Sequence, residues 1–272
     1  TVLALALSGL PPVRAAGPQR IITLSPHLTE LVYAAGAGER IVGTLDTSDY
    51  PAEARRIARV GDVAHLDAER LLALKPDLVV VWGDGSPAEQ RVLLKRLGLP
   101  VLVLEQHRLD DIATSLEQLG RVFGTEPVAN AAAVRIREEF GRLRARYAQS
   151  RRLRVFYQVW SAPLYTVGSR SIASELLDLC GASNLYADQS ASAFVVEEES
   201  VYTRAPDVVA LTGTAGENAD WLRRWRSRAP LPAVVQGRVI TLDPDLVNRM
   251  GPRLVDGARA MCESLDQIRS RQ

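Results

Sequence analysis

LDAERLLALKPDLVVVWG, residues 66–83, combines a short helical pattern, a Pro-Asp pair and a run of branched aliphatic residues that ends in Trp82. A continuously aliphatic strand that follows a helix is typical of a parallel sheet covered on both faces. The same unit returns in residues 197–213, EEESVYTRAPDVVALTG. In each copy a Glu, Glu69 or Glu199, stands seven residues before the Pro of the Pro-Asp pair. The chain therefore contains one building block twice.

Other segments match between the two halves in the same way. TELVYAAGAG (29–38) and SELLDLCGAS (174–183) each begin with Ser or Thr before a Glu, and each carries a Gly six residues after that Glu, at Gly36 and Gly181. This pattern predicts a helix that ends at a glycine. The segments rich in β-formers predict three strands in each half: residues 20–26, 78–82, 100–105, 154–160, 208–213 and 238–243.

The segment between the halves, EPVANAAAVRIREEFGRLRARYAQSRR (126–152), predicts one long helix. Its apolar residues keep a helical spacing: Val128, Ala131, Ala132, Ile136, Phe140 and Leu143. We therefore predict an α/β protein of two similar βαβ-type lobes with mostly parallel sheets, joined by one backbone helix. The predicted units are an N-terminal lobe (18–125), the helix (126–150) and a C-terminal lobe (152–272). A cleft between two such lobes is a usual place for a small ligand.

The composition excludes several classes of function. Only 24% of the residues are charged and the net charge is +1, so neither a disordered chain nor a nucleic-acid-binding surface is indicated. The segment 36–43, GAGERIVG, follows a predicted helix, whereas a dinucleotide fingerprint follows a strand. The histidines His27, His65 and His107 are scattered. The sequence thus gives no support to an enzyme.

The first residues indicate export. TVLALALSGL is a short apolar run, and Val13 and Ala15 fit the small-residue pattern before a signal-peptidase site. We predict that residues 1–15 are the remains of a secretory signal ahead of a soluble exported protein; a buried N-terminal helix is the alternative. Two cysteines, Cys180 and Cys262, suit a disulfide in an oxidising compartment, although two buried free thiols fit the sequence as well.

Candidate ligand contacts come from the carboxyl ends of the predicted strands, because ligands of parallel sheets meet the loops there. Aromatic residues are only 6% of the chain, yet four fall at these ends and predict a wall for a broad planar ligand: Tyr50, Trp82, Trp160 and Tyr165. Ordinary packing within a lobe is the alternative for each. Ser25 is a predicted helix N-cap, and Trp221 and Trp225 are predicted core residues. Other residues at strand ends are His27, Gly83, Asp245 and Arg249.

Glu69 and Glu199 fall in the first turn of their predicted helices. A carboxylate there complements the helix dipole, with a gain of about 0.3–1 kcal/mol. Matched positions in two lobes also suit charged contacts with a two-fold partner that carries basic sockets. The spacing alone leaves both interpretations open.

Several segments together resemble a known receptor family: RIITLSPHLTELVYAAGA, TSDYPAEA, LDAERLLALKPDLVVVW, the Cys180/Cys262 pair and NRMGPR. They are similar to the periplasmic cobalamin-binding proteins of ABC importers, which have two lobes on a rigid backbone helix. The resemblance covers about residues 18–268. It implies capture of a corrinoid such as cobalamin, and delivery to a two-fold permease–ATPase complex in the inner membrane. It also implies a periplasmic location, a free monomer, and no enzymatic activity, resident cofactor or nucleic-acid partner.

The resemblance also implies roles for individual residues. Glu69 and Glu199 match the acidic pair that meets arginines on the permease, and Cys180 and Cys262 match the family disulfide. The ligand-facing positions that it implies are Tyr50, Trp82, Trp160, Tyr165, Phe194, Asp245 and Arg249, with Gly83 beside Trp82.

This chain also departs from the family pattern. Val63 stands where relatives carry a Trp, residues 245–249 (DLVNR) lack two aromatics, and His27 replaces a small residue. A haem or ferric-siderophore receptor of the same class is therefore the alternative, with His27, His65 or Tyr50 as an axial iron ligand. An enzyme or metallochaperone on the same plan would need clustered Cys, His or carboxylate side chains, and the sequence shows no such cluster.

Overall fold

The computed structural model describes residues 17–83, 85–228 and 230–271. The N-terminal lobe holds a parallel sheet in the order β3-β2-β1-β4-β5. Its strands are β1 (Ile21–Thr23), β2 (Ile41–Thr44), β3 (Ala58–Arg59), β4 (Leu78–Trp82) and β5 (Val101–Leu104). Its helices are α1 (Pro26–Ala34), α2 (Ala68–Ala73), α3 (Ala88–Arg96) and α4 (Leu109–Phe123), with 3₁₀ turns at Gly38–Arg40 and Ala52–Arg56.

A single helix of 22 residues, α5 (Glu126–Tyr147), connects this lobe to the rest of the chain. It packs on α1 and α4 of the first lobe and on two helices of the second lobe. It ends three residues before the predicted limit at residue 150, and the lobe boundaries stay a prediction.

Not all of the helically spaced apolar residues of α5 are buried. Val128 and Ala131 are exposed, whereas the buried residues are Ala129, Ala132, Ala133, Ile136, Phe140, Leu143 and Tyr147. The reason is the helical period. Stepping back from Ile136 by three or four residues reaches positions 132 and 133 and then 129, and these positions share one face of a helix.

The C-terminal lobe holds a mixed, mostly parallel sheet in the order β11-β10-β6-β7-β9, with β8 paired to β6. Its strands are β6 (Leu153–Ser161), β7 (Leu164–Val167), β8 (Ala182–Asn184), β9 (Ala193–Val195), β10 (Val208–Leu211) and β11 (Val239–Thr241). Its helices are α6 (Ile172–Leu179), α7 (Glu198–Arg204), α8 (Ala215–Arg226), α9 (Pro232–Val235), α10 (Pro244–Val247) and α11 (Leu254–Arg269).

The second lobe departs from a plain βαβ plan at β7, which runs antiparallel to both β6 and β9. Only Ala162 and Pro163 separate β6 from β7. A link of two residues can reverse the chain, whereas a parallel neighbour requires a crossover of a dozen residues or more. The short connection therefore fixes the hairpin.

One hydrophobic cluster runs through both lobes. Ile21 of β1 and Tyr157 of β6 both belong to it, and Phe140 of α5 joins them. The adjacent residues on the two strands, Ile22 and Phe156, point to the opposite faces and belong to separate outer clusters. Because side chains alternate along a strand, each sheet shares one face with α5 and keeps the other face for its own lobe. The lobes are thus joined by continuous packing.

Cys180 and Cys262 form a disulfide that ties the end of α6 to α11 across 82 residues of sequence. The structure thus decides for the bridge and against two free thiols. The predicted signal remnant, residues 1–15, lies outside the described residues. In the part of the chain that the structure describes, no helix has both the length and the apolar character of a membrane span.

Candidate ligand-binding cleft

A cavity of about 410 Å³ lies between the lobes, at the carboxyl ends of the central strands. Trp82 at the end of β4 and Gln106 after β5 line it from the first lobe. Val159 of β6 and Met250 line it from the second lobe. Trp82 is the one predicted ligand residue in its wall. Gln106 was missed, although it follows a predicted strand and the same strand-end rule would have found it.

His27 forms part of the structure beneath this cavity. It is only 3% exposed, and its ring meets Trp82 edge to face with 5.0 Å between the ring centres. Its Nδ1 lies 2.6 Å from the Ser25 hydroxyl. Ser25 does stand at the N-cap of α1, as predicted, but its side chain makes no capping hydrogen bond there. The hydroxyl is engaged by the His27 ring instead.

The His27 ring is neutral at physiological pH. Burial lowers the pKa of His27 to about 3; the Gln106 side chain acts in the opposite direction, and the positive charge of Arg249 adds to the lowering. Its Nε2 is buried and has no hydrogen-bond partner in the described part of the chain. His27 thus offers a neutral nitrogen that is sealed from solvent.

A buried ion pair joins the lobes beside His27. Glu30 of α1 is 3% exposed and accepts two hydrogen bonds from Arg253, at 2.6 Å and 3.0 Å. Burial raises the pKa of Glu30, and the bonds to Arg253 offset this only in part. Burial lowers the pKa of Arg253, but the bonds to Glu30 outweigh it, and the pKa of the guanidinium ends above its usual value. The ion pair therefore keeps the Arg253 guanidinium charged beside Glu30, and burial of the two groups costs free energy of desolvation.

Arg249 extends this pair into a network. Its two terminal nitrogens lie 2.7 Å from carboxylate oxygens of Asp49 and Asp245, and one lies 3.8 Å from Glu30. Burial raises the pKa of Asp49, but the hydrogen bond and charge of Arg249 bring it below its usual value. We call these five residues, Glu30, Asp49, Asp245, Arg249 and Arg253, the interlobe ion network.

Tyr50 lies against this network. The Arg253 guanidinium is stacked 4.1 Å from the centre of the Tyr50 ring, and the ring itself is 47% exposed. The structure therefore brings together three predicted ligand residues, Tyr50, Asp245 and Arg249. Arg249 has its nitrogens engaged by carboxylates, so its predicted role as a ligand contact requires a partner to compete with them.

The remaining predicted aromatics lie in the second lobe. Trp160 and Tyr165 face each other across the β6–β7 hairpin, and Trp160 is half-exposed. Phe194 packs edge to face against Tyr186, away from the cavity lining, with 5.5 Å between ring centres. Trp221 and Trp225 are buried in the outer cluster, which confirms their prediction as core residues.

Gly83 is buried directly after Trp82, and its carbonyl accepts a hydrogen bond of 2.6 Å from Arg91. A Cβ at this position would meet the Glu105 carboxylate at 2.0 Å. The glycine thus allows β4 and the segment after β5 to approach each other at the edge of the cavity.

The two repeated glutamates are exposed on opposite lobes. Glu69 lies in the first turn of α2, whose N-cap residue Asp67 accepts a hydrogen bond from the backbone N–H of Arg70. Glu199 lies in the first turn of α7. Its neighbour Glu198 forms ion pairs with Arg224 of α8 and with Arg228 just after that helix. Neither Glu69 nor Glu199 forms an ion pair with another residue of the described chain.

A family model described as periplasmic binding protein matches residues 21–246. The chain belongs to this family. The vitamin B12-binding protein of Pectobacterium carotovorum subsp. carotovorum is 36% identical over 253 residues, which cover 92% of this chain and 90% of that protein. The crystal structure of the periplasmic vitamin B12 binding protein BtuF of Vibrio cholerae is similar with a TM-score of 0.84 and 34% identity, over 94% of this chain and 99% of that one.

A periplasmic heme binding protein from Pseudomonas aeruginosa is also similar, with a TM-score of 0.80 and 26% identity, over 91% of this chain and 92% of that one. The fold is therefore shared by receptors with different ligands. In this periplasmic binding protein the family match includes both repeated glutamates and all four strand-end aromatics, whereas Arg249 and Arg253 of the interlobe ion network lie beyond it.

Proposed function

We propose that this periplasmic binding protein captures cobalamin or a related corrinoid in the cleft and delivers it to an ABC importer. The observation that carries the proposal is the cavity between the two lobes, whose wall includes Trp82, with Tyr50 close by on the interlobe ion network. Tyr50 and Trp160 are each about half-exposed, at 47% and 50%. Flat side chains that stay exposed on a rigid scaffold suit a broad planar ligand. The named relatives that bind vitamin B12 support the same ligand.

A haem ligand receives less support from the candidate axial ligands. His27 is sealed beneath the cavity with its Nε2 buried, so iron coordination requires its side chain to move. His65 is 90% exposed on a turn held by Asp62. Tyr50 remains as a donor, but the Arg253 guanidinium covers one face of its ring.

We further propose that Glu69 and Glu199 dock the protein, free as a soluble periplasmic monomer, on a two-fold permease–ATPase complex. Their support is that each lobe presents one exposed carboxylate, without an intramolecular ion pair in the described chain, at the same place in the repeated unit. Charged contacts at an interface rim increase the association rate and fix the orientation of the partners.

Calorimetric titration of the chain from residue 17 onward tests the ligand. Cyanocobalamin should bind with one-to-one stoichiometry, and haemin should bind far more weakly. Absence of heat with cyanocobalamin together with saturable binding of haemin would contradict the proposal and favour the haem receptor.

Uptake by cells that lack their own receptor tests the docking surface. The double variant Glu69→Ala/Glu199→Ala should abolish uptake and leave the affinity for cyanocobalamin within twofold of the wild type (about 0.4 kcal/mol). Glu197→Ala is the matched control, since Glu197 is exposed beside Glu199 and makes no side-chain capping bond. Normal uptake by the double variant would contradict the docking proposal.

A further inference from the structure

A second, polar depression lies next to the ligand cavity. It has a volume of about 770 Å³ and lies between the start of α4 in the first lobe and α6 in the second lobe. Four residues line both spaces: His107, Arg170, Ser171 and Ser192. We call this depression the side groove. A ligand that fills the cavity therefore lies against residues that also line the side groove.

The carboxylates of the side groove are already compensated. Glu175 accepts a hydrogen bond of 2.8 Å from the backbone N–H of Leu109 and lies 3.7 Å from Arg108. Asp178 lies 2.6 Å from Arg152. Among the described residues, these contacts leave no unpaired carboxylate in the groove lining to repel an anion.

Arg170 is a cation of the groove lining that takes no part in these ion pairs. It is exposed at the junction of cavity and side groove, and it forms no hydrogen bond or ion pair within residues 17–83, 85–228 and 230–271. It directly precedes Ser171, the N-cap residue of the eight-residue helix α6. The helix dipole at this end has the same sign as the guanidinium and adds to its attraction for an anion.

The cavity is small for a ligand as large as a corrinoid, so part of such a ligand extends beyond it. A volume of about 410 Å³ is near the lower end of the range of roughly 300–1,000 Å³ for small-ligand sites. A corrinoid with its nucleotide tail is a large ligand, and its tail is joined through a phosphodiester that carries one negative charge. A corrin ring held against Trp82 in a cavity of this size leaves that tail to be placed elsewhere.

We propose that the side groove holds the anionic phosphodiester tail of the ligand, with Arg170 as its cationic contact. This inference rests on the proposed function and adds a specificity: complete cobalamin is distinguished from cobinamide, which has the same ring but lacks the phosphodiester and the nucleotide. Arg170 supplies a single charge that matches the single charge of the tail.

The test compares Arg170→Glu with the wild type by titration with cyanocobalamin and with dicyanocobinamide, at low and at high salt. Arg170→Glu should weaken cyanocobalamin binding by about three- to tenfold at low salt, as expected for the loss of an exposed charge pair, and the difference should shrink at high salt. Its affinity for dicyanocobinamide should match that of the wild type. Arg170→Lys should retain most of the affinity, because the charge remains.

Arg144→Glu is the control for net charge, since Arg144 is exposed on α5 and lies outside both the cavity and the groove lining. It should leave both affinities unchanged. Equal affinities of the wild type and Arg170→Glu for cyanocobalamin, or an equal loss for both ligands, would overturn the inference while leaving the proposed function intact. Failure of the wild type to bind either corrinoid would overturn the proposed function and the tail site with it.

Discussion

The two ends of the cleft are built in opposite ways. At one end the interlobe ion network crosses from α1 to the start of α11, and its central carboxylate, Glu30, is 3% exposed. At the other end the cavity borders the side groove, where Arg170 is exposed and unpaired in the described chain. Both ends carry arginines near strand ends. Burial and available partners, and not residue type, therefore separate an arginine that holds the lobes together from one that is free to meet a ligand.

Removal of the buried Glu30 carboxylate is the strongest test of the difference between buried and exposed charges, and it should have the largest effect on stability. Glu30→Ala leaves Arg253 without its two hydrogen bonds and Arg249 with one acidic neighbour fewer, so we expect a destabilisation of about 3–5 kcal/mol. Urea denaturation measures it. Glu69→Ala, which removes an exposed carboxylate from the first turn of α2, should change the free energy of unfolding by at most about 1 kcal/mol. Similar values for the two variants would show that the network contributes no more than a surface charge.

Replacement of both partners of the pair sharpens the comparison. Glu30→Met/Arg253→Met removes the desolvation cost together with the ion pair, so the double variant should lie within about 1–2 kcal/mol of the wild type. Unfolding measurements on the two single variants and the double variant give the coupling between them. Additive single losses would mean that the two side chains do not act as a pair.

The pH dependence of stability gives the smallest effect. The pKa of Glu30 is raised in the folded protein, so in the window above its ordinary value of about 4.5 the folded state binds more protons than the unfolded state. Stability from this group is full below that window and falls as the pH rises through it. The pKa of Asp49 is lowered, so its contribution is present above its ordinary value of 3.8 and is lost as the pH falls further.

Glu30→Gln isolates the first of these contributions. The wild type should lose stability relative to Glu30→Gln as the pH rises above 4.5, whereas the loss as the pH falls below 3.8 should be common to both proteins. Parallel curves above pH 4.5 would contradict the raised pKa of Glu30. The hydrogen bonds to Glu30 raise the pKa of Arg253, so this guanidinium keeps its charge throughout the range and adds no titration of its own.

Much of the fold could be predicted because its signals are local. The aliphatic run of β4 and the helix spacing that ends at Gly36 each lie within about ten residues, and the repetition of both indicated two lobes. The helix α5 could be predicted, but not the exposure of Val128, because apolar residues occur on several faces of that helix. The reversal of the chain at Ala162 and Pro163 required attention to the length of a connection and not to its composition.

The site was harder to predict because its decisive contacts are distant in sequence. Glu30 and Arg253 are 223 residues apart, and no spacing rule joins them. His27 was noted as a departure from the family pattern, but its burial depends on Trp82, which comes from another strand. Arg170 falls in a loop after an antiparallel strand, where the rule for the carboxyl ends of parallel strands gave no reason to look.

The number of residues in the uninterrupted helix α5 affects how far apart the two lobes lie. Its 22 residues span about 33 Å, since each residue of an α-helix adds about 1.5 Å and turns the chain by about 100°. One inserted residue would therefore swing Glu199 around the axis relative to Glu69, whereas seven inserted residues would nearly restore the phase and only lengthen the gap. The number of residues in α5 therefore sets both the distance between Glu69 and Glu199 and the rotation of one relative to the other.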